Sequence, residues 1–265
     1  MVKCKRLKPQ ELNDKVKQEV IILHQKHFDL KPAVIIKYLE PRDYVDVYFN
    51  KKGKVIATVG VQWYKSQGNH LVYIGNVVVD SKYQRCGLAT RSFFIALMKT
   101  VFKFPLQSKF VAILTTSPNI YAHISKLKDS WPKPYEKIPV EINQIMQQFL
   151  QANYPDNHLF VDDFYLVSPK KGAEIEAISY DKKHDNFYGL WYSLANFNYK
   201  RGFQLPVVAK INKKNLWITF KFITRITHLW RKIRQAKPYL LQIKTKDVVY
   251  IGLLGASIYY CLVAN

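Results

Sequence analysis

The sequence predicts a mixed α/β fold, in which strand and helix patterns are interspersed along the chain. Two stretches with apolar residues at helical spacing, 9–28 and 32–39, come before a run of strand patterns. The turn signal at 50–53 then joins two strands as a hairpin. The stretch 71–79 is almost continuously apolar, which is typical of a buried central strand. These three observations indicate a sheet that is covered by helices.

The other elements follow from the same two periodicities of apolar residues. Strands are predicted, in chain order, at 2–7, 44–49, 55–64, 110–115, 159–167, 187–194 and 203–211. Further helices are predicted at about 87–103, 118–128, 139–153 and 217–234. Pro206 favours an edge position for the last strand, because proline cannot donate a hydrogen bond to a neighbouring strand.

The charge of the chain is strongly positive and unevenly distributed. Among 265 residues there are 41 Lys and Arg against 19 Asp and Glu, a formal net charge of +22. Basic residues dominate 1–130 and 205–265, whereas 131–204 is nearly neutral. Such a field favours anionic partners, namely phosphorylated cofactors, nucleic acid or an anionic membrane surface. Nucleic acid is the least favoured of these, because the chain has no recognised nucleic-acid motif.

The cysteines and the N-terminus indicate a cytoplasmic location. Cys4, Cys86 and Cys261 are few and widely separated, so they do not form a disulfide framework. A reducing compartment is therefore expected. Met1 is followed by charged residues rather than an apolar stretch, so a secretory signal is not expected.

The segment 77–90, VVVDSKYQRCGLAT, places a glycine between the central strand and a helix. The first amides of a helix have no intrahelical acceptor, and a phosphate can accept several of them at once. Gly87 allows close backbone approach, Ala89 keeps the turn small, and Thr90 offers a hydroxyl. Arg85 adds a positive charge. The segment is therefore suited to a pyrophosphate, although it is neither a Walker loop nor a Rossmann fingerprint.

The same segment resembles the signature of the GNAT superfamily of N-acetyltransferases, Gln/Arg-x-x-Gly-x-Gly/Ala. Gln84, Gly87 and Ala89 fill its three defined places. The order of predicted elements over 2–130 is also the order of that family, and the signature follows the strand that it follows there. The resemblance implies a mixed, mostly antiparallel twisted sheet flanked by helices.

The resemblance also implies a co-substrate, acetyl-CoA, and a reaction in which an amine attacks its thioester without a metal ion. Acetyl-CoA would bind where the strands at 71–79 and 110–115 splay apart. Its pantetheine arm would pair with the strand backbone, its pyrophosphate would lie on the helix amides, and a backbone amide near Val78 would polarise the thioester carbonyl. The implied cofactor-binding residues are Val77, Val78, Val79, Gln84, Arg85, Cys86, Gly87, Leu88, Ala89, Thr90 and Asn119.

The chain departs from the family at the general acid. Family members often show Asn-x-x-Ala followed by a Tyr seven residues after the Asn, and here Asn119 and Ala122 are followed by Lys126. Tyr121 is the preferred candidate for the acid, and Tyr199 is the alternative. If neither serves, the chain is a non-catalytic CoA- or membrane-binding interaction protein on a GNAT-like scaffold. The sequence does not identify the amine acceptor, which is a small molecule or a protein.

Other ionisable residues have weaker claims. Glu40 and His70 are candidates for a base that deprotonates the amine through water. His24 and His27 have a spacing that could ligate zinc, but a surface pair is the favoured interpretation because no third ligand is evident.

Four segments describe the organisation of the whole chain. We expect an acetyl-CoA-binding core at 1–130, and an insertion with the remaining core strands on the acceptor side at 131–216. A basic amphipathic segment follows at 217–246, and a candidate C-terminal membrane segment at 248–264. The last two would form a C-terminal helical extension.

The uncharged segment 248–264 would be about 26 Å long as a helix, near the lower limit for a membrane span. Basic residues before it would hold the folded domain on the cytoplasmic side, so membrane contact is expected through 217–264. The alternative is a buried strand or helix that completes the core.

Overall fold

A computed structural model of the chain describes residues 2–66, 68–84, 86–115, 120–121, 124–125, 127–133, 136–154, 158–161, 164–167, 174–175, 204–212 and 215–216. Its strands are β1 (Lys3–Leu7), β2 (Phe28–Asp29), β3 (Tyr44–Phe49), β4 (Val55–Ser66), β5 (Asn69–Val79), β6 (Lys109–Thr115), β7 (Ser130–Trp131), β8 (His158–Val161), β9 (Phe164–Val167), β10 (Glu174–Ile175) and β11 (Leu205–Lys210). Its helices are α1 (Asp14–Gln25), α2 (Pro32–Leu39), α3 (Leu88–Lys103) and α4 (Val140–Asn153).

Seven of these strands form one sheet, in the order β1-β3-β4-β5-β6-β11-β7. Neighbouring strands are antiparallel except β5 and β6, which run parallel. A parallel pair needs a crossover connection, and α3 lies in that connection. The fold is therefore mixed α/β with a mostly antiparallel sheet flanked by helices, which confirms the predicted fold class.

The helices cover both faces of the sheet, because side chains alternate across each strand. On one face, Phe94 of α3 packs with Val72 and Ile74 of β5. On the other face, Leu71 and Tyr73 pack under α4, and α1 and α2 lie beside α4 over β3 and β4. Burial of each Val, Leu or Ile side chain contributes roughly 1.5–3 kcal/mol, so these two layers hold the helices on the sheet.

The first helix begins later than its apolar pattern predicts. Pro9–Glu11 forms a short 3-10 turn, and α1 starts at Asp14. Asn13 is the residue before the helix, and its Oδ1 accepts a hydrogen bond of 2.9 Å from the N–H of Val16. Asparagine is a favoured residue at this position because its side chain satisfies a first-turn amide, so the cap rather than the apolar spacing sets the start.

Two strand predictions are corrected by the structure. The single strand predicted at 159–167 is an antiparallel hairpin of β8 and β9. The edge position predicted for the strand containing Pro206 is also wrong, since β11 lies between β6 and β7. Proline is tolerated there because β7 pairs with Val208 and Ala209, and no described strand pairs with Pro206 on that side.

Several predictions lie outside the described residues: the strand at 187–194, the basic segment 217–246 and the apolar segment 248–264. The C-terminal helical extension therefore stays a prediction, as do the boundaries of the four segments. Within the part of the chain that the structure describes, none of the helices combines the length and the apolar character needed to cross a membrane.

Candidate functional site

The sheet opens between β5 and β6, at the place where the sequence predicts the cofactor. The two strands are in register from His70 opposite Lys109 to Ile74 opposite Ile113. Beyond that pair β5 continues to Val79, while β6 continues to Thr115 in register with β11. Among the described residues, β5 therefore has no strand partner on its β6 side over 75–79. An extended chain of amides can pair with such an edge as an added strand.

A bulge in β5 accompanies this opening. Thr58 of β4 lies opposite Val78, but Gly60 lies opposite Gly75, so β5 carries one extra residue in between. Asn76 adopts a left-handed conformation at φ 52°, which asparagine tolerates better than most residues. The Thr58 hydroxyl donates a 3.2 Å hydrogen bond to the Asn76 carbonyl oxygen. Such bulges bend a strand and redirect its side chains beside functional sites.

The three valines of the predicted pantetheine strand differ in exposure. Val77 is exposed, at 37% of its maximal area, and it points away from the core. Val78 is buried in the α1–α2 layer, and Val79 packs against a small cluster around Tyr48. The side chains thus anchor the strand in the fold, which leaves its backbone as the part available for a ligand.

The turn after β5 leads directly into the start of α3. Asp80 caps the 3-10 turn Ser81–Tyr83, and the Gln84 side chain donates a 3.3 Å hydrogen bond to the Val79 carbonyl oxygen. Gly87 precedes α3 at φ 74° and ψ 8°, a left-handed conformation that favours glycine. The next three amides, of Leu88, Ala89 and Thr90, lie in the first turn of the helix and have no intrahelical acceptor. Gly87 has no side chain that would cover them.

Arg85 and Cys86 are the next two predicted cofactor residues in the sequence. Arg85 lies outside the described residues. Cys86 is half-buried, and burial raises the pKa of its thiol, so the thiol is neutral at neutral pH.

The start of α3 is fixed by a tyrosine that the sequence analysis missed. The Tyr48 hydroxyl donates to the Leu88 carbonyl oxygen at 3.0 Å and shares a hydrogen bond of 2.8 Å with the Ser92 hydroxyl. Tyr48 is 1% exposed, so these bonds are shielded from water. No sequence signal links positions 48 and 88, because the contact depends on how β3 lies beneath α3.

The candidate general acid lies in the core. Tyr121 is fully buried, and its hydroxyl donates a 2.9 Å hydrogen bond to the Pro132 carbonyl oxygen. Burial raises the pKa of Tyr121, so the hydroxyl keeps its proton at neutral pH, as an acid must. Its role stays a prediction. Asn119, Lys126 and Tyr199 lie outside the described residues.

The two candidate bases are not equally placed. His70 lies at the start of β5, five residues before the sheet opens at Gly75, and a strand advances about 3.3 Å per residue. Its ring is stacked on Phe104, with 3.4 Å between ring centroids. This distance along the strand places His70 away from the opening. Glu40 caps the C-terminus of α2 and is exposed.

The histidine pair His24 and His27, at the end of α1 and in the turn after it, is more buried than the sequence suggests. His24 is 3% exposed, its Nδ1 lies 2.9 Å from the Val20 carbonyl oxygen, and burial lowers its pKa to about 4. The Nε2 atoms of His24 and His27 are buried without a hydrogen-bond partner among the described residues. No group of three or more potential metal ligands occurs in that part of the chain.

A polar cluster lies on the α4 face beside the opening, and the sequence analysis did not identify it. Gly60 and Gly75 face each other across β4 and β5, and the Tyr73 hydroxyl lies over Gly75. Arg42 crosses this glycine pair. Its Nε donates to Asn76 Oδ1 at 2.8 Å.

The remaining members of the cluster come from β4 and from the end of α4. Arg42 Nη1 donates to Gln62 Oε1 at 2.6 Å. The Tyr64 hydroxyl donates to Asn153 Oδ1 at 2.6 Å, and the Tyr154 hydroxyl lies 3.4 Å from that of Tyr73. The 131–216 segment therefore contributes the end of α4 to this face.

Comparisons with known proteins give one family match and several similar solved structures. Residues 14–123 match the profile of the Acetyltransferase (GNAT) family. The chain is similar to an acyl-CoA N-acyltransferase from Pseudomonas aeruginosa, with 15% identity over 42% of this chain and 79% of the other and a TM-score of 0.32.

It is also similar to a GNAT family N-acetyltransferase, YhbS, from Escherichia coli in complex with CoA (20% identity, 50% and 74% coverage, TM-score 0.34). A third similar structure is glucosamine-6-phosphate N-acetyltransferase from Arabidopsis thaliana, with 19% identity over 51% of this chain and 99% of the other and a TM-score of 0.35. No curated protein matches the sequence. The family match thus covers residues 14–123, which is less than half of the chain.

Proposed function

We propose that this protein transfers an acetyl group from acetyl-CoA to an amine. The observation that carries the proposal is the unpaired edge of β5 over 75–79, which leads within one turn into the glycine start of α3. A strand edge followed by free helix amides suits a ligand with an amide-containing arm and a pyrophosphate. Acetyl-CoA, when bound, supplies the acetyl group as a reactive thioester.

The residues present fit this co-substrate. The backbone of Val77 to Val79 would hold the pantetheine arm, and the amides of Leu88 to Thr90 would hold the pyrophosphate. Gly87 has no Cβ that would separate a phosphate from those amides. A backbone N–H near Val78 would donate to the thioester oxygen, where negative charge develops during attack.

The leaving thiolate needs a proton, and Tyr121 remains the candidate that would donate it. To do so, its hydroxyl must exchange the Pro132 carbonyl oxygen for the sulfur. The role is supported only if Tyr121→Phe lowers kcat and leaves acetyl-CoA affinity unchanged. Equal kcat values for the variant and the natural chain would assign proton donation elsewhere.

Acetyl-CoA binding can be tested with two matched glycine variants. Gly87 and Gly53 both have left-handed backbones, at φ 74° and 77°, and Gly53 lies in the open β3–β4 turn. Gly87→Glu and Gly53→Glu therefore introduce the same charge and similar backbone strain. We expect titration calorimetry to show acetyl-CoA binding to the natural chain and to Gly53→Glu, and none to Gly87→Glu. No heat and no thermal protection for the natural chain would refute the proposal.

A second function is a CoA-binding protein without catalysis. Two observations favour it: Lys126 stands where the family often has tyrosine, and the Tyr121 hydroxyl is bonded to a backbone carbonyl. The two functions separate in one experiment, in which a mixed pool of amines and peptides is incubated with acetyl-CoA and the products are identified by mass spectrometry. Any acetylated amine that requires the protein excludes the non-catalytic function.

We further propose a cytoplasmic location with attachment to a membrane through 217–264. The support is the basic segment followed by the uncharged stretch 248–264. Carbonate extraction of membranes from cells that express the full chain tests it. The natural chain is expected in the pellet, and Gly255→Arg, which places a charge within the apolar stretch, is expected to move the protein to the supernatant. Extraction of the natural chain by carbonate would contradict membrane insertion.

A further inference from the structure

Arg42 is a buried cation that has no anionic partner in the described part of the chain. Its side chain is 6% exposed. The guanidinium donates to the amide oxygens of Asn76 and Gln62 and lies over the Tyr73 ring, with 4.4 Å between Cζ and the ring centroid. No Asp or Glu in the described part of the chain forms an ion pair with it.

The cluster does not neutralise this charge by itself. Removing a guanidinium from water is costly unless it is paired, and an arginine cannot lose its proton to escape that cost. The neighbouring hydroxyls are also neutral, since burial raises the pKa of Tyr64 to about 12 and raises the pKa of Tyr154 well above its usual value. Amide oxygens and a ring face offer only partial compensation. Counted over the described residues, the site therefore has one positive charge in excess.

The position of the charge ties it to the reaction proposed above. Arg42 donates to Asn76, the left-handed residue of the bulge, and β5 leaves β6 after Ile74. The Arg42 Cγ lies 3.2 Å from where a Cβ on Gly60 would stand, so its stem crosses the sheet beside the opening. An acceptor that approached the opening from the α4 face would therefore come close to this guanidinium.

We propose that Arg42 binds an anionic group, a carboxylate or a phosphate, on the amine acceptor. This inference rests on the proposed function and specifies the substrate class of the same site. A guanidinium suits both anions because its N–H groups match two oxygens at once. The hydroxyls of Tyr73 and Tyr154, 3.4 Å apart, lie close enough to assist. The acceptor is then an amino acid, an amino phosphate or a related small acid.

The test compares amines that differ only in the anion. Phenylalanine is paired with phenylalaninamide and with 1-amino-2-phenylethylphosphonate, and glycine with glycinamide and aminomethylphosphonate. Binding of each is measured by calorimetry to the full chain saturated with CoA, and acetylation is measured with acetyl-CoA. We expect at least one acid to exceed its amide by roughly tenfold or more, as a charge-assisted hydrogen bond implies. The carboxylate and phosphonate arms identify which anion is preferred.

Variants assign that preference to the arginine. Arg42→Gln should reduce the ratio of acid to amide toward one, while CoA affinity stays within about twofold, since CoA binds the backbone of β5 and the start of α3. Lys37→Gln removes an exposed positive charge from α2, near in sequence but outside the cluster, and should leave the ratio unchanged. If Arg42→Gln does not fold, Arg42→Lys takes its place, because it keeps the charge but loses the two-oxygen geometry.

The outcomes separate the two proposals. If CoA binds and acids equal their amides in the natural chain, the inference about Arg42 is overturned and the proposed function stands. The inference is also overturned if acids are preferred equally by Arg42→Gln. If neither CoA nor acetyl-CoA binds, the proposed function itself fails.

Discussion

Two arginines on opposite faces of the sheet, the partly buried Arg6 and the buried Arg42, show how this fold treats charge that is removed from water. Each lies over a tyrosine ring: Arg6 Cζ is 4.1 Å from the Tyr44 centroid, and Arg42 Cζ is 4.4 Å from that of Tyr73. Arg6 binds Asp46 with two hydrogen bonds of 2.7 and 2.9 Å. Arg42 donates to the amide oxygens of Asn76 and Gln62, and no carboxylate among the described residues pairs with it.

The difference follows the proposed roles of the two faces. The Arg6 pair joins β1 to β3 at directly opposed positions, on the α3 face, and holds the edge strand in register. Its carboxylate is 1% exposed, so the pair is complete within the fold. Arg42 lies beside the opening of the sheet, where a ligand can supply the missing anion. Arg6, which stabilises the fold, is thus paired with a carboxylate of the same chain. Arg42, which we propose binds the acceptor, would be paired by the anion of its ligand.

Removing each arginine gives the largest predicted effect and tests the comparison directly. Arg6→Met leaves the Asp46 carboxylate buried without a partner, which costs about 3–5 kcal/mol. Arg42→Met removes an unpaired charge and leaves only amide oxygens without donors, which costs about 1–2 kcal/mol. Urea unfolding at pH 7 measures both. Equal losses of stability would show that the charge of Arg42 is neutralised within the fold as well as that of Arg6, and would contradict the difference described here.

His24 shows a third treatment of a buried ionisable group, since it stays neutral. Burial lowers its pKa to about 4 in the fold, against about 6.5 in the unfolded chain. Below pH 6.5 the unfolded chain binds a proton that the folded chain does not, so stability is full above pH 6.5 and falls as the pH approaches 4. The loss is about 3 kcal/mol over that window. Arginine has no such neutral state.

The measurement is urea unfolding of the natural chain and His24→Leu at pH 7, 5.5 and 4. The variant should lose less stability between pH 7 and 4, because it has no group to protonate at this position. Parallel pH dependences in the two proteins would mean that His24 does not titrate as its burial requires.

Most strands and helices could be predicted from the sequence, because they depend on the local spacing of apolar residues. The α2 helix and β3 have the predicted bounds, and the turn at Gly87 has its predicted place before α3. Asn13 was overlooked as a cap, so the start of α1 was predicted too early. The β8–β9 hairpin was missed because both strands are short and similarly apolar, and the signal between them was not strong enough to divide them.

The polar cluster could not be predicted, because it depends on register between distant residues. Gly60 and Gly75 are unremarkable strand residues in the sequence, and the unbroken register of the β4–β5 hairpin from Ser66 opposite Asn69 places them opposite each other. Arg42 gave no sign of burial, since an arginine before a strand is usually exposed. The strand-to-helix turn, in contrast, could be predicted because all its residues are contiguous in the sequence.

Gly75→Ala tests whether the glycine pair makes the room that the cluster needs. A Cβ on Gly75 would lie 2.5 Å from the Tyr73 hydroxyl oxygen and 2.6 Å from Cζ, so the ring must move away from the guanidinium. The cost is about 1–3 kcal/mol, as for other overpacked sites. Gly60→Ala is the matched control on β4, where the nearest atoms are at 3.2 Å, and its cost should be smaller. Thermal unfolding of both variants decides the order, and the reverse order would contradict the packing described.

Asn76→Gly should have the smallest effect on stability, and it separates the bulge from the side chain that occupies it. Glycine adopts φ 52° without strain, so the bulge and the unpaired edge of β5 are kept. What is lost is the acceptor of the 2.8 Å bond from Arg42, a cost of about 1 kcal/mol or less. Acetyl-CoA affinity, measured by calorimetry, should therefore stay within about twofold.

Asn76→Val is the contrasting variant, because a β-branched residue does not tolerate a left-handed backbone. It should flatten the bulge and weaken acetyl-CoA binding by roughly tenfold or more, in proportion to a strain of 1–3 kcal/mol. If Asn76→Gly weakens acetyl-CoA as much as Asn76→Val, the Arg42–Asn76 bond itself holds the sheet open. Arg42 would then be a structural residue like Arg6, stabilising the fold through a neutral partner. If only Asn76→Val weakens acetyl-CoA binding, the bulge is needed for the cofactor and the Arg42–Asn76 hydrogen bond is not. Arg42 then remains available to bind the acceptor.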